Sequence, residues 1–86
     1  MLLSVIMPCY NEERTIREIL DQVRAVNLDK EIIVVDDHSR DRTPDILRDI
    51  AAADESVRVI RQPRNRGKGE AIRTGLAAAR GEIVII

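Results

Sequence analysis

The sequence has few aromatic side chains and little cysteine. Of its 86 residues, Tyr10 is the only aromatic one apart from His38, and both phenylalanine and tryptophan are absent. A core must therefore be built from isoleucine, valine, leucine and alanine, within a hydrophobic content of 44%. Cys9 is the single cysteine, which excludes an intramolecular disulfide and makes a reducing compartment the default.

An excess of one charge and long apolar runs are lacking as well. The net charge is −1, so there is no overall field to attract nucleic acid or an anionic membrane. The first residues show neither the basic segment nor the apolar run of a signal peptide. No stretch approaches the ~20 apolar residues of a membrane span. We expect a cytoplasmic location, including the cytoplasmic face of a membrane, and no nucleic-acid partner.

The chain is long enough for one small domain. A fold of this length buries only about 60–65% of the surface that its unfolded chain exposes. Its last residues, Glu82 to Ile86, are typical of a strand and are not followed by a turn. We therefore expect residues 1–86 to be a single domain, incomplete at its C-terminus, from the N-terminal part of a longer protein.

Apolar runs alternate with helical patterns along the chain. Residues 3–7, 32–35, 57–60 and 82–86 have the composition of strands. The segments between them repeat apolar residues at helical spacing, the third of them over residues 68–80. The order βαβαβαβ predicts an α/β fold, a Rossmann-like half-domain with a parallel sheet and right-handed crossovers.

Particular residues predict where the first elements end and begin. Pro8 cannot donate a ladder hydrogen bond, so we expect the first strand to stop there. Asn11 is expected to cap the first helix, with Glu12 and Glu13 in its first turn, near the positive end of the helix dipole.

Similar arguments apply to the other two helices. Asp41 is expected to order the turn before Thr43, and Thr43 to cap a helix that has Pro44 at its first position. Gly81 is expected to stop the third helix. Gly75 in the middle of that helix predicts close packing on the sheet. The inward residues of the third helix are expected to be Ala71, Ile72, Gly75, Leu76 and Ala79.

Polar segments follow the first three predicted strands. Ligands of parallel α/β sheets bind beyond the carboxyl ends of the strands, where residues 8–13, 36–41 and 61–69 converge. Asp37 is placed to accept hydrogen bonds from ribose hydroxyls or a base N–H, and Tyr10 to stack on a base. Asp36 is expected to cap its loop or to pair with an arginine.

No phosphate-binding motif is complete. The first strand is not followed by a glycine-rich turn, and acidic residues there would repel a pyrophosphate. Gly67-Lys68-Gly69 is followed by Glu70, where a phosphate loop has serine or threonine, and by Ile72, where a dinucleotide motif has glycine. We expect Arg66 and Lys68 to face the phosphates of a bound nucleotide. We also expect a metal ion, held elsewhere, to neutralise the diphosphate of that nucleotide.

Three segments resemble the N-terminal half of family 2 glycosyltransferases with a GT-A fold. They are S-V-I-M-P-C-Y-N-E-E, I-V-V-D-D-H-S-R-D-R-T and N-R-G-K-G-E-A-I-R-T-G. The chain is most similar to the dolichyl- and polyprenyl-phosphate sugar transferases, and the resemblance covers essentially its whole length. His38 stands where the D-D-G-S turn of the family commonly has glycine.

The resemblance implies a nucleotide pocket. Asp37 would contact the base or ribose, and Lys68 would lie near the phosphates. The full set of implied pocket residues is Pro8, Tyr10, Glu12, Val35, Asp37 and Lys68.

The resemblance also implies an activity whose reacting groups lie elsewhere. A sugar would pass, with inversion, from a UDP- or GDP-sugar to an acceptor such as a polyprenyl or dolichyl phosphate, with Mg or Mn as the divalent metal. The full-length protein would associate peripherally with a membrane. The family's metal-binding Asp-x-Asp would follow the fourth strand, beyond Ile86, and the catalytic base would lie further on. We therefore expect no catalytic or metal-binding residue in this chain, weak nucleotide binding and no turnover.

Two other functions stay open on the sequence. One is a nucleotidyltransferase, although such enzymes usually have a glycine-rich, basic loop after the first strand, unlike residues 8–13. The other is a non-catalytic nucleotide-binding module, such as a receiver-like domain. A receiver would have its acidic pair after the first strand and its phospho-acceptor after the third, where Gln62 stands here.

Overall fold

The computed structural model describes residues 1–85, which form one sheet with helices on both faces. All strand pairs in this part of the chain are parallel, in the order β3-β2-β1-β4. The predicted α/β class, alternation of elements and parallel sheet are confirmed, and Ile86 lies outside the described residues. The elements are β1 (Leu3–Cys9), α1 (Ile16–Arg24), β2 (Lys30–Asp36), α2 (Thr43–Ala53), β3 (Val57–Arg61), α3 (Lys68–Ala78) and β4 (Ile83–Ile85).

The strand order reverses at β1. From β1 the chain adds β2 and β3 on one side and then β4 on the other. β1 pairs with β2 along its whole length, whereas β4, as far as it is described, pairs only with residues 3–5. A reversal of this kind opens a crevice at the carboxyl ends of the strands. The topology therefore places a crevice beside residues 6–9.

The first strand continues through Pro8, so the prediction that it ends there is wrong. Pro8 pairs with Val35 of β2, and Cys9 pairs with Asp36. Proline is tolerated in a strand where no neighbour needs its missing N–H. Within residues 1–85, Pro8 lies past the part of β1 that pairs with β4.

The sheet divides the core into two parts. Side chains that alternate along β2 point to opposite faces, so that Ile32 and Val34 pack on one side and Ile33 and Val35 on the other. Each fully buried side chain of this size contributes about 1.5–3 kcal/mol through removal from water. The larger cluster, with α1 and α2, contains Cys9, Ile16, Leu20, Ile32, Val34, Leu47, Ile50 and Val57. The smaller cluster, with α3, contains Ile33, Val35 and Ala71.

Close packing of α3 on β1, predicted from Gly75, is confirmed. A Cβ atom at Gly75 would overlap the side chain of Ile6. The buried face of α3 is narrow, with Ala71 and Gly75 one turn apart, so Leu76 is 47% exposed and not inward as predicted. The helix also ends before Gly81, because Ala79 already has an extended ψ of 136°.

α1 begins at Ile16, later than the predicted start at Asn11. Asn11 has a left-handed φ of 51°, and its Oδ1 accepts a 2.9 Å hydrogen bond from the Arg40 N–H. A turn follows, in which the Glu12 carbonyl oxygen accepts from the N–H groups of Thr15 and Ile16. Asn11 therefore joins two loops and does not cap the helix, and the two glutamates precede it.

α2 begins at Thr43, one residue before the predicted first position at Pro44. The Asp41 carboxylate accepts a 2.9 Å hydrogen bond from the Thr43 N–H, so the prediction that it orders this turn is confirmed. The Thr43 hydroxyl, however, accepts from the Glu12 N–H at 2.9 Å. The side chain predicted as a cap thus links α2 to the loop after β1.

The helices described in residues 1–85 are short. α1 has 9 residues, and α2 and α3 have 11 each. Eleven residues extend about 17 Å at 1.5 Å per residue, against about 30 Å for the hydrocarbon core of a bilayer. In this part of the chain, no helix has the length and apolar character needed to cross a membrane.

Candidate functional site

A cavity of about 270 Å³ opens at the carboxyl ends of β1 and β2. This volume is just below the roughly 300–1,000 Å³ of small-molecule sites, so the cavity accommodates one part of a larger ligand. Its wall combines the end of β1, the loops after β1 and β2, and the first turn of α3. The lining residues are Pro8, Cys9, Tyr10, Glu12, Asp37, Lys68 and Ala71.

This cavity brings together five of the six residues that the sequence predicts for the pocket. The sixth, Val35, is fully buried in the cluster with Ile33 and Ala71. Its side chain packs with Ala71 beneath the cavity wall and is not among those that line the cavity, and its contact with a ligand stays a prediction. The ligand contacts of the other five stay predictions.

Cys9 and Ala71 line the cavity although the sequence does not predict it. Helical spacing places Ala71 on the inner face of α3, but not over the end of β1. Cys9 is a small buried residue, as predicted, and burial, followed by repulsion from Asp36 and other carboxylates, raises its pKa to about 12. Its thiol is therefore neutral at physiological pH and unsuited to nucleophilic attack.

A second cavity, of about 280 Å³, adjoins the first along the edge of β1. The two cavities share Pro8, Cys9, Glu12 and Lys68, so they form one groove. The second part is more apolar and runs between α1 and the start of α3. Its further lining residues are Ile6, Met7, Ile16 and Ile19.

Asp36 connects the loops that follow β2 and β3. Its Oδ1 accepts hydrogen bonds from the N–H and the hydroxyl of Ser39, and its Oδ2 lies 2.6 Å from Nη1 of Arg61. Arg61 also donates to the Ser39 carbonyl oxygen at 3.1 Å. Asp36 is only 1% exposed. It both caps its loop and pairs with an arginine, so both of its predicted roles are confirmed.

Asp37 lines the cavity and holds the loop that precedes α3. Its Oδ1 accepts a 2.8 Å hydrogen bond from the Arg66 N–H, and its Oδ2 a 2.9 Å bond from the Gly67 N–H. Gly67 has a φ of 93°, which strongly favours glycine. Since a carboxylate has about four lone-pair sites, Asp37 retains capacity for a ligand while these two bonds are made.

His38 occupies a left-handed backbone position, with a φ of 63°. Glycine adopts this backbone conformation most easily, and the turn has it here even though the residue is histidine. Nδ1 of His38 lies 3.2 Å from the carbonyl oxygen of Gln62. The imidazole thereby joins the loops after β2 and β3.

The loops after β1 and β2 are also bound to each other. The Asn11 N–H donates to the Ser39 hydroxyl at 2.8 Å, and the Glu13 N–H donates to Asp41 Oδ2 at 3.2 Å. Burial alone would raise the pKa of Asp41, but hydrogen bonds from Thr43 and Glu13 lower it below its ordinary value. The segment that carries two cavity side chains is therefore held in place by its neighbour.

The described residues do not fit a metal ion. Within residues 1–85, no three histidine, cysteine, aspartate or glutamate side chains form a group that could hold one. Of the adjacent aspartates, Asp36 is paired with the cationic Arg61, and Asp37 is bound by two N–H groups. The Asp-x-Asp predicted after the fourth strand lies outside these residues.

Comparison of the sequence with known proteins identifies a matching family and similar members of it. The model of glycosyl transferase family 2 matches residues 4–86. A dolichyl-phosphate beta-glucosyltransferase from Trichomonas vaginalis is 35% identical, over 96% of this chain and 28% of its own length. The chain thus spans less than a third of that relative.

Two solved structures share the fold. The mannosyltransferase PcManGT from Pyrobaculum calidifontis, in complex with GDP-Man and Mn2+, has a TM-score of 0.88 and 36% identity, over 95% of this chain and 25% of its own. TarS from S. aureus, in complex with UDP-GlcNAc, has a TM-score of 0.87 and 33% identity, over 98% of this chain and 25% of its own. The matched part is a quarter of each of these chains, and both are in complex with a nucleotide sugar.

Proposed function

Because the chain belongs to glycosyl transferase family 2, we propose that it is the nucleotide-binding part of an enzyme that transfers a sugar from a nucleoside diphosphate sugar to a polyprenyl phosphate. The observation that carries the proposal is the cavity at the reversal of strand order, where an aromatic ring, a carboxylate and an ammonium group meet. The dolichyl-phosphate substrate named for a relative supports the acceptor class.

Tyr10 and Asp37 are the groups suited to a nucleoside. Tyr10 is 42% exposed at the mouth of the cavity, so a base can stack on its ring. The free lone pairs of Asp37 can accept from a ring N–H or a ribose hydroxyl. Uracil and guanine both carry such an N–H, so the proposal includes UDP- and GDP-sugars, and the two related complexes contain one of each.

Lys68 is suited to the diphosphate. It is the first residue of α3, and it lines both parts of the groove. An ammonium group beside a helix N-terminus attracts phosphate oxygens through its own charge and through the helix dipole. Glu12 would repel phosphates, and one of its oxygens accepts from the Thr15 hydroxyl at 2.9 Å. We assign its other oxygen to a sugar or ribose hydroxyl.

These residues bind and orient the donor. In the proposed reaction, an acceptor phosphate oxygen forms a bond to the anomeric carbon while the bond from that carbon to the diphosphate oxygen breaks. The nucleoside diphosphate leaves with the bonding electrons, and the anomeric configuration inverts. Lys68 favours departure by offsetting the charge that the leaving group gains. A lipid-linked acceptor would bring the full-length enzyme to the cytoplasmic face of a membrane as a peripheral protein.

Nucleotide binding tests the pocket directly. Titration calorimetry with UDP and GDP should show binding of at least one, weakened about 5- to 150-fold by Tyr10→Ala, since base stacking on an aromatic ring contributes about 1–3 kcal/mol. Tyr10→Phe is the matched control and should bind like the wild type. Equal affinities for wild type and Tyr10→Ala would refute the pocket.

Sugar transfer tests the reaction. The full-length enzyme should label polyprenyl phosphate from a radioactive UDP- or GDP-sugar, and fractionation should recover it with membranes until high salt releases it. Formation of a nucleoside diphosphate sugar from a nucleoside triphosphate and a sugar phosphate, the reaction of a nucleotidyltransferase, contradicts the proposal. The described loop after β1 offers no support for that alternative, since it has no glycine.

A further inference from the structure

The loop of residues 62–67 is fixed at both ends by two adjacent residues, Asp36 at the end of β2 and Asp37 directly after it. At its start, the Gln62 N–H donates to the Asp36 carbonyl oxygen at 2.8 Å. At its end, the Asp37 carboxylate accepts from the N–H groups of Arg66 and Gly67. Residues 63–65 between these anchors are exposed. One carboxylate therefore holds the backbone of the loop's last two residues, while the Arg66 side chain pairs with Glu70 at its exposed side.

The second anchor adjoins the phosphate-facing cation. Gly67 directly precedes Lys68, and its carbonyl oxygen accepts from the Ala71 N–H at 3.1 Å in the first turn of α3. Glycine has no Cβ to favour its φ of 93° over other conformations, so the hydrogen bond from its N–H to Asp37 helps to select it. The position of Gly67 therefore sets the direction in which the Lys68 side chain enters the cavity.

We propose that Asp37 is a positioning residue for Lys68, in addition to any contact that it makes with a nucleoside. This inference rests on the proposed function. One carboxylate then contacts the nucleoside with its free lone pairs, while its other lone pairs hold the loop of residues 62–67, which precedes Lys68. Recognition of the base and placement of the phosphate cation are then coupled through a single side chain.

The coupling has a signature that a nucleoside contact alone lacks. If Asp37 only contacted the nucleoside, its substitution would weaken nucleoside and nucleoside diphosphate by the same factor. If it also positions Lys68, the diphosphate suffers an additional loss. The ratio of nucleoside diphosphate affinity to nucleoside affinity is therefore the quantity to measure, and a general loss of stability does not change it.

Asp37→Asn keeps the side-chain size but leaves only one oxygen to accept from two N–H groups. With uridine and UDP, or guanosine and GDP, we expect this variant to lower the affinity ratio about fivefold or more, as for the loss of one charge-assisted hydrogen bond. Lys68→Ala should lower the same ratio, and the double variant should lower it no further than Lys68→Ala alone.

A glycine substitution can disturb the loop without touching either side chain, and a second glycine provides its control. A Cβ at Gly67 or at Gly69 meets open space, but only Gly67 has a left-handed φ. Gly67→Ala should therefore strain the loop and lower the ratio, whereas Gly69→Ala, the matched control, should leave it unchanged.

The outcomes separate the two proposals. If the wild type binds neither nucleotide, the proposed function fails and this inference fails with it. If the wild type binds but Asp37→Asn and Gly67→Ala leave the ratio within twofold of its original value, or the double variant is additive, the positioning role alone is overturned.

Discussion

The Ser4 hydroxyl donates a 2.6 Å hydrogen bond to the carboxylate of Glu31, at the end of the sheet opposite the cavity. The same carboxylate oxygen accepts from the Arg80 N–H at 2.6 Å, and the Ser4 oxygen accepts from the Gly81 N–H at 2.7 Å. Arg58 of β3 lies 3.3 Å from the other carboxylate oxygen. This cluster fixes the turn that leads from α3 into β4.

Removing the charge at Glu31 should destabilise the fold. In Glu31→Gln the side-chain amide places donors against other donors, so we expect a loss of roughly 1–3 kcal/mol in the free energy of unfolding, as for buried polar groups left without partners. Urea denaturation measures it. Arg48→Ala is the control, since its ion pair with Asp45 is exposed and should contribute less than about 1 kcal/mol. Similar losses for both variants would contradict a special role for Glu31.

Stability should fall in acid because of three carboxylates. Burial alone would raise the pKa of Glu31 and of Asp41, but hydrogen bonds lower both below their ordinary values of 4.5 and 3.8. Hydrogen bonds from Ser56 lower the pKa of Asp54 below its ordinary value of 3.8. A carboxylate with a lowered folded-state pKa contributes stability that is complete above its ordinary pKa and is lost as pH falls through the folded value. Urea midpoints measured down through this range should decline, and less steeply in Asp54→Asn.

Cys9 should resist alkylation in the folded protein. A pKa of about 12, against an ordinary 9.0, leaves little thiolate near neutral pH. Iodoacetamide should therefore react roughly 100-fold or more slowly with native protein than with urea-unfolded protein. The raised pKa also means that stability is complete below the ordinary value and is lost as pH rises toward 12. Fast native labelling would contradict the buried, neutral thiol.

Gly75→Ala should cost stability although alanine favours helices. Its Cβ would overlap Ile6, and overpacking typically costs about 1–3 kcal/mol. The matched control is Gly69→Ala in the same helix, where the added Cβ meets open space. That change should stabilise by about 0.5–1 kcal/mol. In an Ile6→Ala background the cost at Gly75 should shrink, which a double-mutant cycle of unfolding free energies measures.

The sequence predicts the elements because their apolar spacing is local. The run from Ile32 to Val35 and the helix start at Thr43 need only neighbouring residues for their interpretation. The predictions for Asn11 and Pro8 are wrong because the roles of these residues depend on distant partners. Asn11 bonds to a residue 29 positions away, and Pro8 pairs with Val35 of the neighbouring strand.

Part of the site is predictable in the same way. The rule that ligands bind beyond parallel strands is enough to bring Tyr10, Asp37 and Lys68 together from their order in the chain. The sequence does not predict that Asp37 holds the Arg66 and Gly67 amides, since backbone donors leave no trace in residue type. Nor does it show that Val35 lies beneath the cavity, which depends on how α3 packs.

The bonds that Asp36 makes have a consequence for how this sequence can change. Because Asp36, Ser39 and Arg61 share one buried set of hydrogen bonds, the effects of substituting them should not add. We expect these three positions to change together or not at all. A protein in which one of the three has been replaced should be less stable than one that keeps the whole set or one in which all three have been replaced. Substitutions at side chains that face the groove, such as Tyr10 and Glu12, leave this set of hydrogen bonds intact, so the groove can change while the loops keep their shape.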